Sequence, residues 1–225
     1  MNRISIIKLE RYLGVLWWVH LSATVNCFAS DDFRLLLHDS SKVYNILDYG
    51  AIGDGRVLNT EAINSAIITC FDSGGGVVLV PEGKFLTGTL VMKSNVTLFL
   101  DNDAVLLGTH DVEQYKSFEI KKASLERLIR IRNNPVWFRS LILLDHVQNV
   151  TITGYGTIDG DSVIDPKGEE GWRGPHGILI GSSQNIDVSS IRISRSGNYN
   201  VLGIDVEDVK LSNLTITEGS DGIHI

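Results

Sequence analysis

An internal repeat of 23 residues is the feature that most constrains what this chain can fold into. The segment Asn185–Ile193 (NIDVSSIRI) recurs as Asp208–Ile216 (DVKLSNLTI), with aliphatic residues at matching positions. An earlier copy starts at Asn149, where the longer spacing leaves room for an inserted loop of about 13 residues, and a still earlier one starts at Asn95. Aliphatic runs this short, returning at a fixed period, are typical of a solenoid in which each coil adds one strand to each of several parallel sheets. We therefore predict an all-β fold, a right-handed parallel β-helix. The repeats lack the dense leucine spacing and the helix of a leucine-rich repeat.

The segment before the repeats predicts a cap for the solenoid. Apolar residues recur at helical spacing over Thr60–Cys70, with Thr60 as a candidate N-cap, and Gly74–Gly76 ends the pattern. This short helix would cover the open N-terminal end of the stack, where strand edges are unpaired. Short strands bounded by Pro, Gly, Asn or Asp are predicted at Val43–Ile46, Val77–Val80, Phe85–Leu90 and Val96–Leu100, with a Gly/Asp turn cluster over 48–55.

The first 29 residues have the pattern of a signal peptide. Three basic residues precede an apolar core at Leu13–Val25, which is followed by Cys27-Phe28-Ala29. The core is too short and too interrupted for a transmembrane span. We expect cleavage to leave residues 30–225 as one β-helix domain, secreted to the periplasm or the cell exterior, with no membrane attachment. Cys70 then remains without a partner and, on the apolar side of the helix, is expected to be buried and inert.

The charge balance restricts the kind of ligand. The formal net charge of −7 argues against a nucleic-acid binder, which would normally show a basic face. An anionic sugar remains possible, because a few local Arg or Lys residues can each hold one carboxylate. We expect no metal and no cofactor, and a monomer. The segment 121–139 could be an outer helix or long loop, or it could form the basic rim of a groove. Six basic residues are concentrated there: Lys121, Lys122, Arg127, Arg130, Arg132 and Arg139.

Several motifs resemble one known family. They are YNILDYGAIGDG at 44–55, GGGVVLVPEG at 74–83, FLTG at 85–88, KSNVTL at 93–98 and GYGTIDG at 154–160. These stretches resemble the polygalacturonase-like glycoside hydrolases (family 28) of the pectin-active β-helix proteins. Gly219–Ile225 (GSDGIHI) looks like that family's first catalytic motif, Asn-Thr-Asp-Gly-Ile, with Asp221 at the position of the aspartate. Gly219 and Ser220 depart from the motif.

The resemblance implies a reaction and a division of labour. Hydrolysis of a glycosidic bond generally needs two carboxyl groups. Family 28 enzymes invert, so Asp221 would help position and deprotonate water in the cleavage of galacturonan or a related pectin-type, cell-wall polysaccharide. The partner acid would come from an Asp-Asp pair about one coil later, beyond residue 225. We therefore expect residues 1–225 to be a truncated piece that is inactive by itself. A β-helix polysaccharide lyase and a non-catalytic, adhesin-like carbohydrate binder remain alternatives.

The repeat also nominates neighbours for Asp221. A shift of 23 residues leads to Asn198, so Gly197–Asn200 should occupy the coil beside it, and Asn198 or Tyr199 would line the same groove. His224 should point outward, toward the groove or the solvent. On the insertion Asp161–Gly177, Trp172 could stack on a sugar ring and Arg173 could pair with a uronate carboxylate. The recurring residues Asn95, Asn149 and Asn185 are expected to form a hydrogen-bonded column, either inside the solenoid or at a turn, instead of touching ligand.

Overall fold

A computed structural model describes residues 42–119 and 134–225, and these form a right-handed parallel β-helix with a helical cap. The predicted signal peptide (residues 1–29) lies outside the described residues, as do Lys121, Lys122, Arg127, Arg130 and Arg132. No helix in the described part of the chain is long and apolar enough to cross a membrane.

Three parallel sheets form the sides of the solenoid, and every described coil after the first contributes one strand to each sheet. The first sheet contains β1 (Val43–Asn45), β3 (Gly76–Val80), β6 (Val96–Leu100), β9 (Gln148–Gly154), β12 (Gln184–Ser189) and β15 (Glu207–Ser212). The second sheet contains β2 (Asp54–Leu58), β4 (Gly83–Thr87), β7 (Ala104–Gly108), β10 (Thr157–Asp159), β13 (Arg192–Ser194) and β16 (Thr215–Thr217). The third sheet contains β5 (Leu90–Val91), β8 (Ser140–Asp145), β11 (His176–Gly181), β14 (Tyr199–Ile204) and β17 (Asp221–His224). Short 3-10 helices occur at Ile46–Tyr49, Val112–Gln114, Pro135–Phe138 and Glu169–Gly171.

The strand register confirms the repeat read from the sequence. Ile186 lies beside Val209 and Val188 beside Leu211 in the first sheet, while Ile193 lies beside Ile216 in the second. The earlier copies fit as well, because β12 pairs with β9 and β9 pairs with β6. Matching aliphatic side chains therefore stack inside the solenoid, and their burial from coil to coil is the main favourable contribution to its stability.

The N-terminal cap is a single α-helix, α1 (Thr60–Asp72). Its buried face packs on the first coils through Ile63, Ala66, Ile67 and Cys70. Cys70 is a free cysteine and is fully buried, and burial raises the pKa of its thiol to about 11, so the reactive thiolate is disfavoured. The predictions of a capping helix and of a buried Cys70 are thus confirmed.

Three local predictions near the cap are corrected by the structure. Asn59, not Thr60, is the N-cap residue of α1, and the hydroxyl of Thr60 instead accepts a hydrogen bond from the Gly88 amide at 2.7 Å. The predicted turn cluster over 48–55 runs into strand β2, because pairing with β4 extends the backbone of a segment that has no strand-like alternation. The predicted strand at Phe85–Leu90 is divided between β4 and β5, which belong to different sheets.

The asparagine column forms as predicted. Asn149 Nδ2 donates to Asn95 Oδ1 at 2.9 Å, and Asn185 Nδ2 donates to Asn149 Oδ1 at 2.7 Å. All three residues are exposed and have positive φ, a backbone conformation that asparagine tolerates better than most residues. The column therefore stabilises one corner of the solenoid.

Candidate active site

The candidate site lies on the third sheet, at the N-terminal end of its strands. Asp221 is the first residue of β17 and is paired with Tyr199, the first residue of β14. In the preceding coils, His176 of β11 lies beside Ser140 of β8. The first residues of four successive strands thus form one side of the site, with Asp221 at the last coil.

The register at Asp221 differs by one residue from a strict repeat. A shift of 23 residues would place Asn198 beside Asp221, but the strands pair Asp221 with Tyr199. The reason is a shorter turn: three residues (218–220) connect β16 to β17, whereas four (195–198) connect β13 to β14. The prediction that Gly197–Asn200 flanks Asp221 holds, with Tyr199 in the directly opposed position.

Arg173 connects the inserted loop to both of these coils. Its Nη1 atom donates to Asp221 Oδ2 at 2.9 Å and to Asn198 Oδ1 at 3.2 Å, while its Nε atom lies 3.3 Å from Glu170 Oε2. The hydrogen bond to Asp221 is the main cause of a raised pKa of Arg173, so the guanidinium remains charged across the accessible pH range. The side chain of Arg173 is 18% exposed, and that of Asp221 is 45% exposed.

The loop that carries Arg173, residues 160–175, is held beside the third sheet by one buried ion pair and one partly buried hydrogen bond. Arg139 Nη1 donates to Asp165 Oδ2 at 2.8 Å, and both side chains are almost fully buried. Trp137 Nε1 donates to Glu169 Oε2 at 2.6 Å, next to the position of Glu170. The interpretation of the basic residues as an exposed rim is wrong for Arg139, which is buried. The guanidinium of Arg139 points inward because Asp165 offers it a buried partner.

An aromatic row runs along the outer side of the third sheet. The ring of Trp137 meets that of His176 edge-on at 4.9 Å, His176 stacks on Tyr199 at 5.6 Å with an 18° interplanar angle, and His224 lies 5.2 Å from Tyr199. His176 is fully buried, and its Nε2–H donates to the Trp137 carbonyl at 2.8 Å. Burial is the main reason that the pKa of His176 is lowered to about 3. The Trp137 carbonyl raises it slightly, and the charge of Arg173 lowers it further. The imidazole is therefore neutral.

The residues nominated from the sequence occupy different environments. Trp172 is 44% exposed and lies 5.4 Å from the guanidinium carbon of Arg173, and His224 is exposed as expected. Tyr199 is half-buried in the aromatic row. Asn198 is only 1% exposed and lies beneath Arg173, so its amide faces that side chain and not the surface.

Sequence reasoning missed the residues that hold the site together. Asp165, Glu170 and His176 have no motif of their own, and Asp165 and His176 contact partners more than 20 residues away. Asn200 belongs to the predicted flanking segment, but its contact with the Asp221 backbone was not predicted. His176 lies near the end of the insertion Asp161–Gly177. The one available signal was its position 23 residues before Tyr199, which predicts stacked side chains in adjacent coils.

The arrangement supplies one carboxylate, one cation that orients it and an aromatic surface beside it. A carboxylate in such a position can accept a proton from a water molecule, and exposed rings can stack on the apolar face of a sugar. Among residues 42–119 and 134–225, no cluster of three or more His, Cys, Asp or Glu side chains is placed to hold a metal ion.

Comparisons with known proteins place these observations in a family. The family model described as "Rhamnogalacturonase A/epimerase, pectate lyase-like" matches residues 43–225. A probable polygalacturonase of Vitis vinifera is 32% identical over 194 residues, which cover 80% of this chain and 39% of that protein. An exo-poly-alpha-D-galacturonosidase of Dickeya chrysanthemi is 38% identical over 128 residues, or 53% of this chain and 20% of that protein. The chain therefore spans well under half the length of these relatives.

Solved structures show the same fold. The family 28 exopolygalacturonase of Yersinia enterocolitica matches with a TM-score of 0.64 at 20% identity, covering 79% of this chain and 39% of that one. The polygalacturonase of Erwinia carotovora matches with a TM-score of 0.57 at 21% identity, covering 76% of this chain and 50% of that one.

Proposed function

Because the chain belongs to the rhamnogalacturonase A/epimerase, pectate lyase-like family, we propose that it is a polygalacturonase-like glycoside hydrolase acting on pectin-type polysaccharide. The substrate class follows from the names of the relatives, which are a polygalacturonase and a galacturonosidase. We further propose that the reaction proceeds with inversion and that the protein is a monomer. We also propose that it works outside the cytoplasm, where such polysaccharides occur.

The observation that supports this function best is the setting of Asp221. In an inverting reaction one carboxylate activates a water molecule on the face of the sugar opposite the leaving group. Among the described contacts, Arg173 engages only the Oδ2 atom of Asp221. Oδ1 can therefore accept a hydrogen bond from the attacking water. The guanidinium held at Oδ2 fixes the direction of the carboxylate.

The reaction also requires a proton donor on the other side of the scissile bond, about 6.5–9.5 Å from the base in inverting enzymes. The family resemblance assigns this role to an Asp-Asp pair about one coil after Asp221. Glu170 is the described carboxylate that shares Arg173 with Asp221. Its contact with the guanidinium suits it to balancing charge and not to donating a proton, so we assign Glu170 a supporting role.

Substrate contacts are proposed for the exposed ring surfaces around Asp221. Trp172 projects from the loop beside Arg173, and Tyr199 is the first residue of β14. His224 is the last residue of β17, and its ring lies 5.2 Å from that of Tyr199. Arg173 already faces two carboxylates, so we expect a uronate group to bind it only weakly. Asn198 is buried, and we propose that it supports Arg173 without touching the sugar.

The test is release of reducing ends from polygalacturonate by the full-length protein, compared between the wild type and Asp221→Asn. We expect the variant to lose at least 100-fold in kcat, because the general base alone contributes about 10²–10⁴-fold. Asp187→Asn is the matched control: Asp187 also forms an ion pair between neighbouring coils, with Lys210 at 2.6 Å, but on the first sheet. NMR of the first product formed reads out inversion.

Two outcomes would overturn the proposal. Products with the ultraviolet absorbance of an unsaturated uronate would indicate a lyase, since elimination leaves a double bond and hydrolysis does not. Polysaccharide binding without any turnover in the wild-type protein, and unaffected by Asp221→Asn, would indicate a carbohydrate-binding β-helix.

A further inference from the structure

The turn in front of Asp221 is held by a buried side chain of the preceding coil. Asn200 Nδ2 donates to the Asp221 carbonyl at 2.8 Å and to the Glu218 carbonyl at 3.0 Å. Its Oδ1 atom accepts from Ser196 Oγ at 2.9 Å. One amide nitrogen thus uses both of its hydrogens to connect the two ends of the 218–221 turn, and its oxygen is held by a third residue.

The burial of Asn200 makes the loss of these hydrogen bonds energetically costly. The residue is 1% exposed, so water cannot replace a lost hydrogen bond without entering the coil. A buried amide whose donors and acceptor are all satisfied favours a single conformation, whereas an unsatisfied carbonyl in the same place carries a large desolvation cost.

Gly219 makes room for this amide. A Cβ atom at position 219 would lie 2.9 Å from Asn200 Nδ2 and 3.3 Å from its Oδ1, and Gly219 has a φ of +91° that other residues rarely adopt. Glycine at this position therefore allows the shorter turn that places Asp221 beside Tyr199. The departure from the family motif at Gly219 is coupled in this chain to the amide of Asn200.

We propose that Asn200 is a positioning residue for Asp221, acting through the backbone of the 218–221 turn, an inference that rests on the proposed catalytic role of Asp221. Asn200 does not touch the reacting atoms. It fixes the carbonyl of Asp221 and the start of β17, and the direction of the Asp221 carboxylate follows from that backbone. Displacing a catalytic carboxylate by about 1 Å can lower the rate of the catalysed reaction on the order of 100-fold.

The experiment compares wild type, Asn200→Ala and Ser196→Ala in the full-length protein, with Asn149→Ala as the control. Asn149 is an amide with two side-chain hydrogen bonds in the asparagine column, remote from Asp221. For Asn200→Ala we expect amide hydrogen exchange at residues 219–222 to accelerate at least tenfold, and kcat on polygalacturonate to fall about 10- to 100-fold with KM changed less than threefold. Ser196→Ala only loosens the Asn200 amide, so it should give a smaller change of the same kind. This variant provides the test if Asn200→Ala folds poorly. Asn149→Ala should alter neither readout.

A second readout tests the link to Gly219. Gly219→Asn alone should lower the unfolding midpoint, because the new side chain collides with Asn200. Combined with Asn200→Ala, it should lower the midpoint by less than the sum of the two single changes.

Each result bears on the inference. Unchanged exchange at residues 219–222 in both Asn200→Ala and Ser196→Ala would show that Asn200 does not hold the 218–221 turn. Additive effects of Gly219→Asn and Asn200→Ala on the unfolding midpoint would show the same. Faster exchange with undiminished kcat would overturn the positioning role. If Asn200→Ala accelerates exchange as expected but the wild-type protein hydrolyses nothing, the proposed function is refuted, whereas the role of Asn200 in holding the 218–221 turn is retained.

Discussion

Nη1 of Arg173 lies 2.9 Å from Oδ2 of Asp221, across two coils of the solenoid. The same nitrogen reaches Asn198 in the coil between them. A loop residue is thus the link between an inserted segment and the carboxylate on which the proposed chemistry depends.

Replacing Arg173 with lysine should impair activity more than stability. A lysine ammonium cannot reproduce the planar contacts to Asp221, Asn198 and Glu170 together. We expect kcat/KM on polygalacturonate to fall about tenfold or more, while the partly exposed ion pairs contribute about 1 kcal/mol or less to the free energy of unfolding. Steady-state kinetics and urea denaturation measure the two effects. Equal kinetics for Arg173→Lys and wild type would contradict the assigned role.

The buried ion pair of Arg139 and Asp165 should contribute more to the free energy of unfolding than the ion pairs of Arg173. Asp165→Asn removes the charge that faces Arg139 in an environment with little water, and Glu113 is too exposed to compensate fully. Breaking such a pair costs about 3 kcal/mol. Lys167→Ala is the control, because Lys167 and Glu113 form an exposed pair at the same loop. Denaturant unfolding should show a large loss for Asp165→Asn and little change for Lys167→Ala; equal losses would contradict this ranking.

His176 should make the folded protein less stable in acid. The pKa of this residue in the folded state is about 3, below the ordinary histidine value of about 6.5. The unfolded chain therefore binds a proton at His176 that the folded chain excludes, and stability falls as the pH decreases from about 6.5 toward 3.

The measurement is the free energy of unfolding in urea at a series of pH values. His176→Gln, whose amide can still donate to the Trp137 carbonyl, should flatten the slope between pH 6.5 and 5, although the protein loses stability at pH 8. His110→Gln alters an exposed histidine and should leave the loss in acid in place. An unchanged slope in His176→Gln would show that the buried imidazole is not its source.

Trp172 should contribute to polysaccharide binding without supporting the fold. Its ring is 44% exposed beside Arg173, and stacking of an aromatic ring on a ligand is worth about 0.5–1.5 kcal/mol. Trp172→Ala should therefore weaken oligogalacturonide affinity about 2- to 12-fold in calorimetry. Ile164→Ala removes another exposed apolar side chain from the same loop and is the control. Equal affinities for the wild type and Trp172→Ala would remove Trp172 from the binding surface.

The sequence by itself determined the solenoid. Aliphatic residues at a 23-residue period fixed which side chains stack, as the pairs of Ile186 with Val209 and of Ile193 with Ile216 demonstrate. The capping helix and the asparagine column were predictable for the same reason, because each depends on contacts that recur along the chain or on one amphipathic segment. The motif around Asp221 also identified the candidate carboxylate, whose catalytic role stays a prediction.

Only the tertiary structure decided what surrounds Asp221. Arg173 is 48 residues from Asp221 in the sequence, and Arg139 is 26 residues from Asp165, with no periodic relationship that connects either pair. The repeat pointed to Asn198 opposite Asp221, but a turn one residue shorter placed Tyr199 there and buried Asn198 beneath Arg173. Periodic patterns specify the stacking of coils because every coil meets the same environment. Loops and turns that break the period are positioned by single contacts between distant residues, and these are decided only once the chain has folded.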